Sequence, residues 1–165
     1  MKLATMLEDN VIESIVDGKG FRLVMFTQGC AHCCKGCHNP STWDFNSGYE
    51  YNVAEIAEHI LLKYRKAKDF YSGITISGGD PLFQKEELLE LLILLKSNEP
   101  DMNVWIYTGF ETDEFFDKFS YIAKYTDVVV TGKFIEEQRD LSCKFKGSRN
   151  QEVIEVKNYV VNKAI

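Results

Sequence analysis

The sequence predicts an α/β domain built as a partial, open (β/α) barrel. Short runs rich in β-branched and aromatic residues alternate with segments whose apolar residues recur at helical spacing, and this alternation indicates parallel strands joined by helices. The chain has 165 residues, too few for a closed eight-stranded barrel, which takes roughly 250 residues. We therefore expect one domain over residues 1–165, with ligands bound where the strands end.

The first half of the chain reads as a strand pair followed by a helix. Residues 11–16 are two apolar pairs on either side of Glu13-Ser14, residues 17–20 form a turn, and residues 21–26 are a second, largely apolar run. Asn52 with Glu55 resembles a capping box, which opens a helix. The predicted helix has one apolar face, formed by Val53, Ile56, Ala57, Ile60, Leu61 and Tyr64.

The second half repeats the order of strand, turn and helix. Strands are predicted over residues 74–76, 104–107 and 127–130, and each ends at a polar or glycine-containing turn. Helical spacing follows the first two of these strands, at Leu88, Leu91, Leu92 and Leu95 and then at Phe115, Phe116, Phe119 and Ile122. The remaining residues are predicted to be irregular, apart from a short strand over residues 158–161.

Composition and charge exclude several classes of function. The net charge of −6 argues against binding to a nucleic-acid backbone, which needs clustered cations. There is no run of about 18 apolar residues that would span a membrane, and the first residues show no secretory pattern. Reduced cysteines at this density predict a reducing cytoplasm.

The cysteines are the main indicator of function. Four of the five lie at positions 30, 33, 34 and 37, and Cys30, Cys34 and Cys37 form the pattern C-x-x-x-C-x-x-C. Three thiolates on one short loop can hold three corners of a cubane iron–sulfur cluster, which leaves the fourth iron without a protein ligand. An open metal position is typical of a reactive site.

Two other interpretations of the cysteines stay open. A disulfide framework suits short secreted chains with an even cysteine count. A structural zinc site usually takes two separated ligand pairs, and the only distant cysteine is Cys143. Cys33 is adjacent to Cys34 and breaks the ligand spacing, so we interpret it as a bystander. His32 and His38 are interpreted as polar loop residues able to orient the ligands.

The turn at residues 77–81 is a second candidate feature. Gly78 and Gly79 lack a β-carbon, so a ligand can approach their backbone closely. Asp80 could accept hydrogen bonds from an ammonium group, and Lys133 could pair with a carboxylate. A plain turn and a solvated lysine are the alternatives to these roles.

These residues carry a resemblance to a known family. The three-cysteine motif, with the later Gly-Gly-acid-Pro turn, resembles the radical S-adenosylmethionine superfamily, and residues 37–44 are similar to the segment after the cluster in glycyl-radical-enzyme activases. More narrowly, the chain is similar to the activating proteins of anaerobic (class III) ribonucleoside-triphosphate reductase. The segments that carry this similarity are residues 27–30, 77–82, 107–110, 127–134 and 145–151.

The resemblance implies a [4Fe–4S] cluster that binds S-adenosyl-L-methionine at its open iron. The implied cluster ligands are Cys30, Cys34 and Cys37. The implied cofactor contacts are Gly78, Gly79, Asp80, Thr108, Lys133 and Asn39, with the Gly-Gly-Asp turn at the methionyl amine. The implied activity is that of an oxidoreductase that generates a glycyl radical on the catalytic subunit of the reductase, with a low-potential electron donor such as flavodoxin.

Two positions depart from the superfamily pattern, and the end of the chain adds an expectation. Gly36 stands where many members carry an aromatic residue that touches adenine, and Asp80 stands where Glu is common. The chain lacks the cysteine-rich insert of some activases, so we expect a single cluster. The polar tail is expected near the open side of the barrel, where it would hold the glycine loop of the reductase or the cofactor; it comprises Gly147, Ser148, Arg149, Asn150 and Gln151.

Overall fold

The computed structural model describes residues 1–163, and over these residues the chain forms one eight-stranded sheet with six α-helices. The strands are β1 (Lys2–Leu3), β2 (Ile12–Ser14), β3 (Arg22–Thr27), β4 (Tyr49–Glu50), β5 (Gly73–Gly78), β6 (Val104–Tyr107), β7 (Val128–Thr131) and β8 (Glu152–Glu155). The helices are α1 (Leu7–Asn10), α2 (Val53–Lys66), α3 (Lys85–Asn98), α4 (Thr112–Lys118), α5 (Ser120–Ala123) and α6 (Val156–Lys163). Residues 164–165 lie outside the described part, and their assignment to the same domain stays a prediction.

The sheet is mixed and open. Its order is β4-β1-β3-β5-β6-β7-β8, with β2 also paired to β3. The central strands β3, β5, β6 and β7 are parallel, whereas β1, β2 and β8 pair antiparallel with their neighbours. Because β4 and β8 stand at opposite ends of this order, the strands do not close into a barrel. The predicted partial, open α/β architecture is therefore confirmed.

Helices α2 and α3 cover one face of the sheet. The Asn52 side chain caps α2 by accepting a hydrogen bond from the Ala54 amide at 2.9 Å. All ten apolar positions predicted for these two helices are buried. They pack on alternate residues of the parallel strands, chiefly Leu23, Met25, Ile74, Ile76, Ile106 and Val129.

The other face of the sheet holds a buried cation. Arg22, at the start of β3, donates hydrogen bonds to the hydroxyl of Thr75 at 2.9 Å and to the carbonyls of Ile74 and Asn103 at 2.8 and 3.0 Å. Its guanidinium also lies 5.3 Å from the centre of the Trp105 ring. Burial lowers the pKa of Arg22 to about 10. Arg22 therefore fills the interior at the amino ends of the parallel strands, away from the cysteine-rich segment.

The end of the chain differs from the sequence-based expectation. The strand predicted over residues 158–161 is wrong, because these residues belong to α6, and the strand β8 lies earlier and pairs with β7. Tyr159 stacks on Phe116 at 3.8 Å and donates to the Asp113 carboxylate at 2.8 Å. The β-branched Val160 and Val161 remain exposed, so their strand propensity is not used by the sheet.

A second difference concerns the segment after β6. The single helix predicted from Phe115 to Ile122 is divided at Phe119, which follows the last residue of α4 and precedes the first residue of α5.

Over residues 1–163, no helix is long and apolar enough to cross a membrane.

Candidate active site at the carboxyl ends of the parallel strands

A cavity of about 210 Å³ lies where the parallel strands end. It is lined by the cysteine loop (residues 28–39, after β3) and by residues at or after the ends of β5, β6 and β7, among them Cys30, Cys34, Cys37, Gly79, Thr108 and Gly132. Parallel strands bring their carboxyl ends to one edge of a sheet, which explains why segments far apart in sequence meet here. We call this space the cysteine cavity.

Backbone N–H groups lie near the sulfurs of the three cysteines of the C-x-x-x-C-x-x-C pattern. The amides of His32 and Cys33 lower the pKa of Cys30, and the amide of Phe134 lowers the pKa of Cys34. The amide of Asn39 donates to the Cys37 sulfur at 3.4 Å. Such donors stabilise negative charge on sulfur, and they are the contacts that tune the potential of a thiolate-bound cluster.

Burial acts on these thiols in the opposite sense. It raises the pKa of the Cys30 thiol to about 11 and also raises the pKa of Cys34. The N–H donors, together with the charge of Lys133 beside Cys34, only partly offset this effect. A thiolate in this cavity therefore needs a cation as partner, which couples deprotonation to metal binding.

Cys33 and Cys143 are placed differently. Cys33 is exposed, does not line the cysteine cavity, and has a left-handed backbone with φ of 47°. Cys143 lines a neighbouring groove rather than the cysteine cavity. The structure thus groups the predicted ligands and separates them from the other two thiols.

The donor set fits a cubane cluster better than a single metal ion. Among the described residues, no three His, Cys, Asp or Glu side chains are arranged to hold one ion. A structural zinc site requires four ligands to converge on one point. In a [4Fe–4S] cluster each thiolate binds a different iron, so its ligands surround a volume instead. Three cysteines around one cavity meet the second requirement.

The Gly78-Gly79 turn is held directly against the cysteine loop. Gly78 has φ of 112°, and a β-carbon there would lie 2.2 Å from the Thr27 amide nitrogen. The Gly79 amide donates to the Thr27 carbonyl at 2.8 Å. Both glycines also line the cavity, so their backbone faces the space between the turn and the cysteines.

Asp80 is buried behind the wall of this space. It is 1% exposed and does not line the cavity. Its Oδ2 accepts from His32 Nε2 at 2.8 Å, the Thr108 hydroxyl at 2.8 Å and the Gly109 amide at 2.9 Å, and its Oδ1 accepts from the Leu82 amide at 3.0 Å. Direct contact between Asp80 and an ammonium group stays a prediction, since internal donors surround the carboxylate in this structure.

The other predicted cofactor contacts lie at different depths. Thr108 and Asn39 both line the cavity. The Asn39 carbonyl accepts from the Thr42 hydroxyl at 2.7 Å, which fixes the chain after Cys37. Lys133 is exposed and does not line the cavity, although its charge acts on the pKa of Cys34. Lys133 therefore belongs to the rim.

The polar tail is attached to the end of β7. Gln151 Nε2 donates to the Gly132 carbonyl at 2.9 Å, and its Oε1 accepts from the amides of Gly147 and Ser148 at 2.9 and 3.1 Å. Asn150 Nδ2 donates to the Lys133 carbonyl at 2.8 Å. Gly147 and Gln151 line the cavity, so this part of the tail lies beside it. Most of its polar groups hold the chain itself together.

Sequence reasoning missed a second space, which we call the side groove. It has a volume of about 600 Å³ and is lined by the exposed residues Ile15, Val16 and Leu141, with Phe145 also contributing. The side groove shares Asp17, His38, Tyr107 and Gly147 with the cysteine cavity. A signal for this groove was present in the sequence. The two apolar residues Ile15 and Val16 are adjacent and directly precede the predicted turn at residues 17–20, so a strand with one buried face cannot bury both.

The chain is similar to a family model and to several known proteins. Residues 16–154 match the family model described as a 4Fe-4S single cluster domain. The chain is similar to the anaerobic ribonucleoside-triphosphate reductase-activating protein of Vibrio cholerae, with 37% identity over 139 residues, covering 83% of this chain and 89% of the relative. The proteins of the same name from Escherichia coli K12 and Enterobacteria phage T4 are each 35% identical, covering 84% and 82% of this chain and 91% and 85% of their own lengths. Among solved structures, QueE from Escherichia coli aligns with a TM-score of 0.47 and 19% identity, covering 61% of this chain and 51% of that chain.

Proposed function

Because the chain belongs to the family of anaerobic ribonucleoside-triphosphate reductase-activating proteins, we propose that it is an oxidoreductase that generates a glycyl radical on that reductase. A [4Fe–4S] cluster held by Cys30, Cys34 and Cys37 would supply, when reduced, the one electron for cleavage of S-adenosyl-L-methionine to methionine and a 5′-deoxyadenosyl radical, and that radical would take the hydrogen atom from the glycine. The protein binds and orients the reactants and limits access of water to them.

The observation that carries this proposal is the arrangement of three cysteine side chains around one cavity at the carboxyl ends of the parallel strands. Cys30, Cys34 and Cys37 would hold the cluster. A fourth cysteine ligand does not line the cavity within residues 1–163, so one iron would remain open to the amino and carboxylate groups of S-adenosyl-L-methionine.

The backbone of the β5 turn would receive the cofactor's amino group. Gly78 and Gly79 line the cavity and present no side chain there, so an ammonium group can reach their carbonyl oxygens. Thr108 and Asn39 are proposed as further contacts within the cavity. Lys133, on the rim, is proposed to pair with a carboxylate of the cofactor or of the partner. Asp80 would act on the cofactor through the residues that it holds.

The side groove is the proposed approach for the partner. A glycine in another folded protein must reach the cysteine cavity, and the side groove joins that cavity through Tyr107 and Gly147. The exposed apolar residues at its border suit an extended segment with apolar side chains beside the glycine. The catalytic subunit of the reductase is the proposed partner, a flavodoxin-like protein the proposed electron donor, and the cytoplasm the proposed location.

The test is to reconstitute the protein anaerobically and mix it with the reductase, S-adenosyl-L-methionine and a low-potential reductant. We expect a glycyl radical on the reductase by electron paramagnetic resonance, and none with Cys34→Ala. A radical formed only on a different glycyl radical enzyme would assign another partner. A colourless protein that binds zinc and not iron would support the alternative of a non-catalytic zinc module.

A further inference from the structure

His32 occupies a specific place between two of the proposed cluster ligands. Its side chain is 10% exposed, and its ring packs against Phe110 and Phe83 with centres 5.0 and 5.3 Å apart. A β-carbon on Gly109 would lie 2.4 Å from the ring, so the glycine makes room for it. A solvent-facing polar loop residue would not be enclosed by two aromatic rings and a glycine in this way.

The His32 ring joins the cysteine loop to a buried carboxylate. Its Nε2 lies 2.8 Å from Asp80 Oδ2, and because a carboxylate accepts hydrogen bonds, this nitrogen carries the proton. The same oxygen receives the hydroxyl of Thr108 and the amide of Gly109. A buried carboxylate is stable only with such donors. Asp80 therefore fixes three segments relative to one another, namely the cysteine loop and the turns after β5 and β6.

The backbone of His32 acts on the site as well. Its amide lies near the sulfur of Cys30 and favours the charged form of that thiol. Hydrogen bonds to the cluster sulfurs raise the reduction potential, because they stabilise the more negative reduced state. One residue thus ties the cysteine loop to the turn after β5 through its ring and places a backbone N–H near one thiol.

We infer that His32 is a positioning residue, whose hydrogen bond to Asp80 aligns the cysteine loop with the turn proposed to receive S-adenosyl-L-methionine. The inference rests on the proposed function and assigns a role to a residue that lines the cysteine cavity but is not one of the proposed cluster ligands. Loss of the bond leaves the three thiols in place but loosens the alignment. The effect therefore falls on cofactor affinity and cluster potential before it falls on iron content.

The experiment compares His32→Ala, His32→Gln and His32→Asn after anaerobic reconstitution. The amide nitrogen of Gln reaches the place of the histidine Nε2, whereas that of Asn stops near Nδ1. We expect His32→Ala and His32→Asn to keep their iron, to bind S-adenosyl-L-methionine about tenfold more weakly by equilibrium dialysis, and to show a lower midpoint potential. His32→Gln should restore most of both values. His59→Ala, on the outer side of α2, is the matched control and should resemble the wild type.

Each outcome separates the positioning role from the proposed function. Equal affinity and potential in His32→Ala and the wild type would overturn the inference. So would equal defects in the Gln and Asn variants, since a structural role does not distinguish the reach of the amide. If the wild type forms the cluster but does not bind S-adenosyl-L-methionine, the proposed function fails instead. Combining His32→Ala with Asp80→Asn should weaken affinity by less than the product of the single effects.

Discussion

Gly79 lies so close to Gly29 that a β-carbon at position 79 would stand 2.4 Å from the Gly29 carbonyl oxygen. The Asp80 amide donates to the same carbonyl at 3.0 Å, which brings the two chains together. Since Gly29 immediately precedes Cys30, the packing of the β5 turn fixes where the cysteine loop begins. This contact links the backbone proposed to receive the cofactor with the thiols proposed to hold the cluster.

The first prediction tests this contact. We expect Gly79→Ala to lower the free energy of unfolding by about 3 kcal/mol, because the clash is with backbone and not with a flexible side chain. Gly132→Ala is the comparison, since its β-carbon would meet nothing closer than 3.5 Å and only its left-handed φ would cost about 1 kcal/mol. The measurement is urea unfolding of both variants. Equal destabilisation would contradict the packing argument.

The second prediction separates the five cysteines. Cys30→Ala, Cys34→Ala and Cys37→Ala should each lose the iron–sulfur absorption after anaerobic reconstitution, because a cubane cluster held by three thiolates cannot lose one without release or decay. Cys33→Ala and Cys143→Ala should keep it, since neither thiol lines the cysteine cavity. Iron and sulfide content provide the measurement. A Cys33→Ala protein without a cluster, beside a Cys34→Ala protein that retains one, would reverse the ligand assignment.

The third prediction concerns Arg22. We expect Arg22→Met to lower the free energy of unfolding by about 3 kcal/mol, because the acceptors on Thr75, Ile74 and Asn103 would lose their buried donor. Arg65→Met is the matched control. The Arg65 side chain is 47% exposed, and its partner Glu99 keeps Lys68 as a second cation, so removal of Arg65 should cost less than about 1 kcal/mol. Thermal and urea unfolding of both variants measure the two losses of free energy of unfolding. A larger loss in Arg22→Met than in Arg65→Met would show that burial of the arginine determines the cost.

Most of the fold could be predicted because its signals are local. Leu88, Leu91, Leu92 and Leu95 recur with the helical period, and all four are buried in α3. The wrong prediction of a strand over residues 158–161 has the same cause, since it was based on local propensity alone. Val160 and Val161 have strand propensity, but β8 already pairs with β7 through a sequence with a glutamate at each end. The edge of a sheet is assigned by tertiary contacts that local propensity does not contain.

The candidate site could be located from the sequence but not oriented. Residues following successive parallel strands must meet at one edge, so the cysteine loop and the Gly78-Gly79 turn were expected together, as the cavity shows. The direction of the Asp80 side chain depends on Thr108 and Gly109, which lie 28 and 29 residues further along the chain. The spacing of residues in the sequence does not show whether a side chain as short as that of Asp80 faces the cavity or the buried donors behind it.

The fourth prediction tests the side groove as the approach for the partner. Leu141 is 86% exposed at the border of the groove, and Leu141→Asp places a charge where the partner segment would be desolvated. We expect the apparent Kd for the reductase to rise roughly tenfold, with cleavage of S-adenosyl-L-methionine in the absence of the reductase unchanged. Leu62→Asp, on an exposed position of α2, is the control. If both variants bind the reductase like the wild type, the partner does not use this groove.

The last prediction divides the polar tail into an inward and an outward residue. Truncating the chain after Lys146 would remove β8 together with the tail and expose the edge of β7, so point variants give the sharper test. Gln151 holds Gly132 to Gly147 and Ser148. Gln151→Ala should therefore lower the free energy of unfolding by about 2 kcal/mol and weaken S-adenosyl-L-methionine binding.

The outward residue is Arg149, which has a 63% exposed side chain and only a 3.8 Å side-chain contact to Asp140. Arg149→Ala should therefore leave folding and cofactor cleavage intact. If Arg149 contacts the reductase, glycyl radical formation alone will fall in that variant, and its apparent Kd for the reductase will become less sensitive to salt. Unchanged radical yield with Arg149→Ala across a salt titration would show that the tail serves the cavity and not the partner.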